Sequence, residues 1–206
     1  MSGETTRRGL IARAIAAGAG AGLLGPSDAG AAQVPAGDSA LLHTVLASEL
    51  LAVYCYQRVL ASGLLDGRTM RLATQVLVQE RAHVRAVRGA LAASGGVPPQ
   101  APASPAAADR ELSILLVPNR LAELHNREDA RKLLIALEGV LEGAYFVAIG
   151  RLSDPGTLRL AAEIMANEAQ HDVLLRLLAH EREPEEALPS ALVQGTFPKK
   201  LTGSLG

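Results

Sequence analysis

Two copies of the pattern Glu-x-x-His, Glu80-Arg81-Ala82-His83 and Glu168-Ala169-Gln170-His171, fall midway along two long helix-patterned segments. On a helix, residues three apart differ by about 60° around the axis and about 4.5 Å along it, so each pair points to one side. In the first segment that side also carries Ala73, Val76, Leu77, Val84, Val87 and Leu91, with Arg71, Arg81, Arg85 and Arg88 away from it. In the second, Ala161, Ile164, Leu175 and Leu178 complete the stripe, and Arg159, Glu163 and Arg176 lie off it. A carboxylate on an apolar stripe, once buried without a partner, costs on the order of several kcal/mol. The chain must therefore fold so that these four groups meet compensating ones.

The compensating groups have a natural source. Each Glu-x-x-His segment follows another helix-patterned segment with its own central glutamate, Glu49 and Glu138. Level along the helices supports a meeting. In an antiparallel hairpin, residues face each other when equally far from the turn. The midpoint of Glu49 and Glu80 falls between Leu64 and Leu65, and that of Glu138 and Glu168 at Ser153. Both midpoints lie at turn signals, so each glutamate pair is level, about 23 Å from its turn.

The segment boundaries are written in caps and breakers. A first helix runs from about Ala40 to Ser62. A second runs from Asp66, a plausible N-cap, to Ser94, where Gly95-Gly96 stops it. Asn126 opens a third that continues to Leu152, and Asp154-Pro155 opens a fourth that lasts to about Glu181. Between the hairpins, residues 95–126 are rich in proline and alanine and read as a crossover, with a short extended piece over Glu111–Leu116. Helices of about 25 residues span roughly 37 Å, which a crossover of about 32 residues covers easily. Residues 32–40 read as a linker, and residues 182–206 as an irregular tail. The expected domain is thus an all-α four-helix bundle over 41–181, two antiparallel hairpins joined by one long connection.

Composition agrees with helix: there are three Tyr, two Phe and no Trp among 206 residues, few strand-forming side chains. Twenty basic residues against 21 acidic ones give no charge bias toward nucleic acid. Cys55 is the only cysteine, so no internal disulfide forms, and within an apolar pattern it reads as a packing residue. At the N-terminus, Arg7-Arg8 precedes a mildly apolar run to Leu24 and the small residues Ala29-Gly30-Ala31. Residues 1–31 are expected to be a twin-arginine-type export signal, delivering the protein to the periplasm, cell envelope or exterior. The run is too short to span a membrane comfortably and contains Arg13, so no stable insertion is expected after its removal.

Four carboxylates and two imidazoles are the ligand inventory of a dinuclear metal site in a helix bundle. Two cations would relieve the mutual repulsion of Glu49, Glu80, Glu138 and Glu168; protonated glutamates hydrogen-bonded to His83 and His171 are the metal-free alternative. Glu142, one turn after Glu138, is the alternate ligand from the third helix. Gln79 and Asn167 immediately precede the two motifs, and could either hold the second ring nitrogen of a histidine across the bundle or stand on solvated flanks. Tyr56 and Tyr145 each follow a central glutamate by two helical turns, and read either as core packing or as redox or hydrogen-bonding groups. His43, His125 and His180 have no partner at ligand spacing.

The order Glu49, Glu80-x-x-His83, Glu138, Glu168-x-x-His171 resembles the ferritin-like superfamily, which includes ferritins, bacterioferritins, rubrerythrins and manganese catalases. The exported prefix, Leu51-Ala52-Val53-Tyr54, the segment from Leu137-Glu138 to Tyr145, and Gly150-Arg151-Leu152-Ser153-Asp154-Pro155 look more like exported bacterial ferritin-like-domain proteins, some called desiccation-related. The resemblance covers about residues 40–181. It implies two metal ions, iron or manganese, held by the six residues named, and an oxidoreductase acting on Fe(II), oxygen or peroxide. It equally admits a manganese-catalase-like enzyme or a non-enzymatic, desiccation-protective bundle, and it leaves room for a homodimer. The proline-rich crossover and the loose tail depart from the cage-forming ferritins.

Overall fold

The computed structural model describes residues 36–180 and 184–188. The export signal expected over 1–31, and most of the tail expected over 182–206, lie outside the described residues. Five α-helices account for most of the described chain: α1 Ala36–Ala61, α2 Gly67–Ala93, α3 Pro105–Ile114, α4 Arg127–Ile149 and α5 Pro155–Ala179. There is no strand among the described residues. The four long helices form a ring, in which α1 packs on α2 and α4, and α5 on α4 and α2. Leu46, Leu51, Val59, Leu91, Leu133, Leu134, Leu137, Leu141 and Leu175 fill its interior.

Two aspartates fix the ends of the bundle. At the α1–α2 turn, Asp66 caps α2 by accepting hydrogen bonds from the backbone of Arg68 and Thr69. The same carboxylate receives Arg127 at 2.9 Å and Arg131 at 2.8 Å from the first turns of α4. The α2 and α4 N-termini therefore lie together, and those helices run parallel. At the opposite end Asp38, buried in the first turn of α1, accepts hydrogen bonds from the backbone of Ser153 and Asp154 and from the Ser153 hydroxyl. The crossover must consequently travel the length of the bundle, as its size predicts.

Two local expectations are corrected. The first helix begins at Ala36, so residues 36–40 of the expected linker are helical: Asp38 stabilises the α1 first turn by its charge, and its cap on the far turn holds that turn in place. The crossover carries a helix instead of an extended piece. Ser104 accepts a hydrogen bond from the Ala107 backbone at 3.2 Å, and Pro105 takes the first helical position, where its missing N–H costs nothing. Pro105 thus opens α3, which buries Ala108 and Leu112 and packs on α1. In the tail, Pro184–Ala187 forms a 3-10 turn against α5, with Ala187 buried.

Candidate metal centre

Each of the four long helices places one glutamate at mid-height, and all four side chains are completely buried: Glu49 on α1, Glu80 on α2, Glu138 on α4 and Glu168 on α5. His83 and His171 are buried beside them. The six residues form two overlapping groups, Glu49, Glu80, His83, Glu168 and Glu80, Glu138, Glu168, His171, with donor atoms in each group within 4.8 Å of one another. Glu80 and Glu168, the two glutamates of the Glu-x-x-His motifs, belong to both groups. Each group adds one glutamate and one histidine of its own.

The histidines are oriented from outside. His83 Nε2 lies 3.0 Å from Asn167 Oδ1, and His171 Nε2 lies 2.6 Å from Gln79 Oε1. An amide oxygen only accepts, so each Nε2 carries the proton and donates it. Each histidine is thus held by the amide that precedes the other motif. Both Nδ1 atoms then face the carboxylates. His83 Nδ1 is 2.8 Å from Glu168 and 3.7 Å from Glu49. His171 Nδ1 is 3.0 Å from Glu80, 3.2 Å from Glu138 and 3.4 Å from Glu168.

Tyrosines brace the outer glutamates. Tyr56 donates its hydroxyl to Glu138 Oε1, and Tyr145 donates to Glu49 Oε1. Both phenols are completely enclosed, and burial, followed by the neighbouring glutamate charge, pushes each well above the ordinary tyrosine range. They are proton-holding hydroxyls at neutral pH. Tyr54 is half-buried against the core. Glu142 stands outside both groups, half-buried one turn along α4, so Glu138 is the α4 carboxylate of the cluster. His43 and His125 are exposed. Asp172, directly after His171, is buried and close to the centre; sequence reading passed over it, although its spacing of four from Glu168 puts it on the same stripe.

The donor set fits cations. Both oxygens of Glu80 and of Glu168, Glu49 Oε2 and His83 Nδ1 are buried with no hydrogen-bond partner. Burial, and then the charges of Glu80 and Glu168, raise the Glu49 carboxyl well above its usual range; burial and the Glu80 charge do the same for Glu138. The histidines respond in the opposite sense. Burial opposes their charge, but the facing carboxylates of Glu168 and Glu80 outweigh it and hold His83 at about 9. For His171 the carboxylates of Glu138, Glu168 and Glu80 outweigh burial and push it up to about 12. Glu168, despite its burial, is held down to about 2 by His171 and His83. Without metal, protons must do the neutralising. Two cations would replace those protons and supply partners for every orphaned oxygen, and mixed carboxylate–imidazole donors suit iron and manganese.

Residues 37–181 match the family described as the ferritin-like domain, and the chain belongs to that family. The fold is also similar to the crystal structure of a conserved hypothetical protein from Mycobacterium tuberculosis, with a TM-score of 0.58 at 21% identity over 69% of this chain and 96% of that one. No curated protein matches the sequence.

Proposed function

We propose that this member of the ferritin-like domain family is an oxidoreductase built around two metal ions, iron in first place, acting on Fe(II), oxygen or peroxide. The observation that carries the reading is the pair of overlapping donor groups sharing Glu80 and Glu168, buried with orphaned oxygens. Glu49 and His83 would complete one metal position, Glu138 and His171 the other. Bound there, two iron ions would supply electrons to an oxidant by changing oxidation state.

The chain's own part is positioning. Gln79 and Asn167 keep the Nε2 protons in place, so that Nδ1 presents its lone pair to the interior. Tyr56 and Tyr145 orient Glu138 and Glu49 and hold a proton at each phenol oxygen, one hydrogen bond from the centre. Apolar packing around Leu46, Leu51, Leu137 and Leu141 keeps bulk water away, which strengthens every charge interaction inside. The twin-arginine-like Arg7-Arg8 and the small residues at 29–31 support an exported protein that acquires its metals before crossing the membrane.

Anaerobic Fe(II) titration followed by exposure to oxygen, watched by absorbance, tests the reading. Two Fe(II) per chain and an oxygen-dependent absorbance change are expected. Absence of Fe(II) uptake together with no consumption of oxygen or peroxide would refute it. Metal analysis of protein from its native host separates iron from manganese.

A further inference from the structure

We propose that the end of the bundle where α2 and α4 begin is a binding site for a phosphate-class oxyanion carrying two or more negative charges. It lies roughly 20 Å along α2 from Glu80, so it stands apart from the metal centre and does not depend on it.

The sequence puts Arg68 and Arg71 in the first two turns of α2, and Arg127 and Arg131 in the first two turns of α4. Those helices run parallel, so all four arginines reach the same end. With Asp66 and Gly67 they line a cavity of about 450 Å³ that opens to solvent, a size within the range of about 300–1,000 Å³ of small-molecule sites. Four guanidinium groups against one carboxylate leave three positive charges in excess, in a chain of formal net charge −1. The acidic residues of the first α4 turn do not line the cavity. Glu128 pairs with Lys132 at 3.4 Å, and Asp129 accepts from the His125 backbone at 3.1 Å.

Asp66 cannot neutralise the group, because both of its oxygens are engaged. Oδ1 accepts from the backbone of Arg68 and Thr69, and Oδ2 from Arg127 and Arg131. Arg131, buried and held also by the Thr69 hydroxyl at 2.9 Å, forms a fixed wall. Arg127 gives Nη1 to Asp66, yet its side chain stays 55% exposed. Arg71 is exposed and has no hydrogen-bond or ion-pair partner among the described residues. Its Nη1 lies 3.6 Å from the point where a Gly67 Cβ would stand, so this side chain turns back over the start of the helix.

The internal repeat of the bundle shows that closing such an end does not require these arginines. In the register that matches Glu80 with Glu168, Asp66 corresponds to Asp154, Thr69 to Thr157 and Arg71 to Arg159. Both aspartates cap their helix through the backbone of the corresponding threonine. Arg159, however, is matched by Glu163 at 2.8 Å, and the residue equivalent to Glu163 on α2 is Gln75. Arg68, Arg127 and Arg131 stand where the other end has Gly156, Asp38 and Leu42. That end is closed by the Asp38 carboxylate on Ser153 and Asp154. The arginine end thus gains three guanidinium groups and loses the carboxylate that would occupy the fourth.

The chemistry of the ligand follows from the donors. Planar guanidinium forks match the oxygens of phosphate two at a time. The positive ends of two parallel helices add to the attraction, although the Arg68 and Thr69 N–H groups already serve Asp66. A singly charged anion would leave most of the excess in place, whereas pyrophosphate comes close to cancelling it. A free phosphate compound and a phospholipid headgroup share this chemistry.

Calorimetric titration of the full chain, dialysed free of metal and chelator, with pyrophosphate is the first arm of the test. The second is sedimentation with phosphatidylcholine vesicles, with and without phosphatidic acid. One pyrophosphate per chain is expected. Arg71→Gln should weaken it by about 10- to 100-fold, the loss of one charge-assisted contact. Arg71→Lys, which keeps the charge but not the fork, should fall between. Arg88→Gln, exposed on α2 away from the cavity, should bind as the unmodified chain does. Arg68→Gln provides a second lining variant, and circular dichroism confirms that each variant is folded. Binding in the first arm alone assigns a free oxyanion, and phosphatidic-acid-dependent sedimentation lost in Arg71→Gln assigns a headgroup. No binding in either arm overturns the proposal. So does binding that Arg71→Gln and Arg68→Gln leave intact, or that Arg88→Gln weakens equally.

Discussion

The hydroxyl of Tyr145 on α4 is hydrogen-bonded to Glu49 on α1, a glutamate from the other hairpin. Its counterpart Tyr56 on α1 reaches Glu138 on α4 in the same way. Neither tyrosine serves the glutamate two turns before it on its own helix. The bracing is reciprocal, so each outer glutamate depends on the opposite hairpin for its orientation. Docking of the two hairpins and assembly of the centre are for this reason one event.

Replacing Tyr145 by Phe leaves Glu49 with no hydrogen-bond donor, because its Oε2 already has none. In chelator, the variant should lose about 1–3 kcal/mol of stability, the range for stranding one buried acceptor. Tyr56→Phe should lose a similar amount through Glu138. Saturating metal should shrink both losses, since a cation then satisfies the glutamate. Urea unfolding with and without metal measures this, and equal losses in both conditions would count against the ligand role of Glu49 and Glu138.

The amide partners cross between motifs, which makes their effects separable. Gln79→Leu frees the Nε2 of His171, and Asn167→Leu that of His83. Loss of such a support weakens metal affinity by about 10–100-fold. Each variant should weaken one metal ion and spare the other, as read by competition with a chelator of known affinity. Uniform weakening of both ions, or no weakening, would contradict the tautomer assignment.

Shared and terminal glutamates should differ in kind. Glu80→Ala or Glu168→Ala removes a donor from both groups, whereas Glu49→Ala or Glu138→Ala removes one from a single group. Two-metal occupancy should collapse in the first pair and fall to one ion in the second. His171→Ala should behave like the second pair. Inductively coupled plasma analysis after dialysis gives the counts; full occupancy in Glu80→Ala would remove the basis for a shared ligand.

Much of this arrangement could be read from spacing, for a reason that is geometric. Helices are rigid rulers, so equal distances of Glu49 and Glu80, and of Glu138 and Glu168, from their turns set the level of four side chains before any contact is known. Spacing alone left Gln79 and Asn167 between two readings, a partner for a histidine across the bundle or a solvated flank, because the choice depends on how the two hairpins are rotated against each other. It could not say which hairpin each tyrosine serves, because rotation of one hairpin against the other depends on core packing between them. It could not identify Glu80 and Glu168 as the shared pair for the same reason. Pro105 misled in a simpler way: proline breaks a helix interior but suits its first position, and the Ser104 cap decides which applies. Asp172 was hidden by its neighbour, since a residue next to a motif on a crowded stripe looks like ordinary helix surface.

At the far end of the bundle, Asp66 joins three structural tasks in one carboxylate: it caps α2 and receives both Arg127 and Arg131 of α4. The backbone of Thr69 and the two guanidinium groups favour its charged form and hold it at about 2, below the ordinary aspartate range. A carboxylate depressed by folding contributes stability that is fully present above its unfolded value and is lost as pH falls through the folded one. The contribution of Asp66 should therefore be constant at neutral pH and disappear between about pH 4 and pH 2. Asp66→Asn keeps an oxygen for the cap but gives up the attraction to Arg131, which is itself buried. Asp66→Ala gives up both and should cost about 2 kcal/mol at pH 7. Urea unfolding across this range distinguishes the contributions: the gap between the native protein and Asp66→Asn should close as the solution is acidified. A gap that stays constant down to pH 2 would mean that the Asp66 charge does not tie the hairpins together.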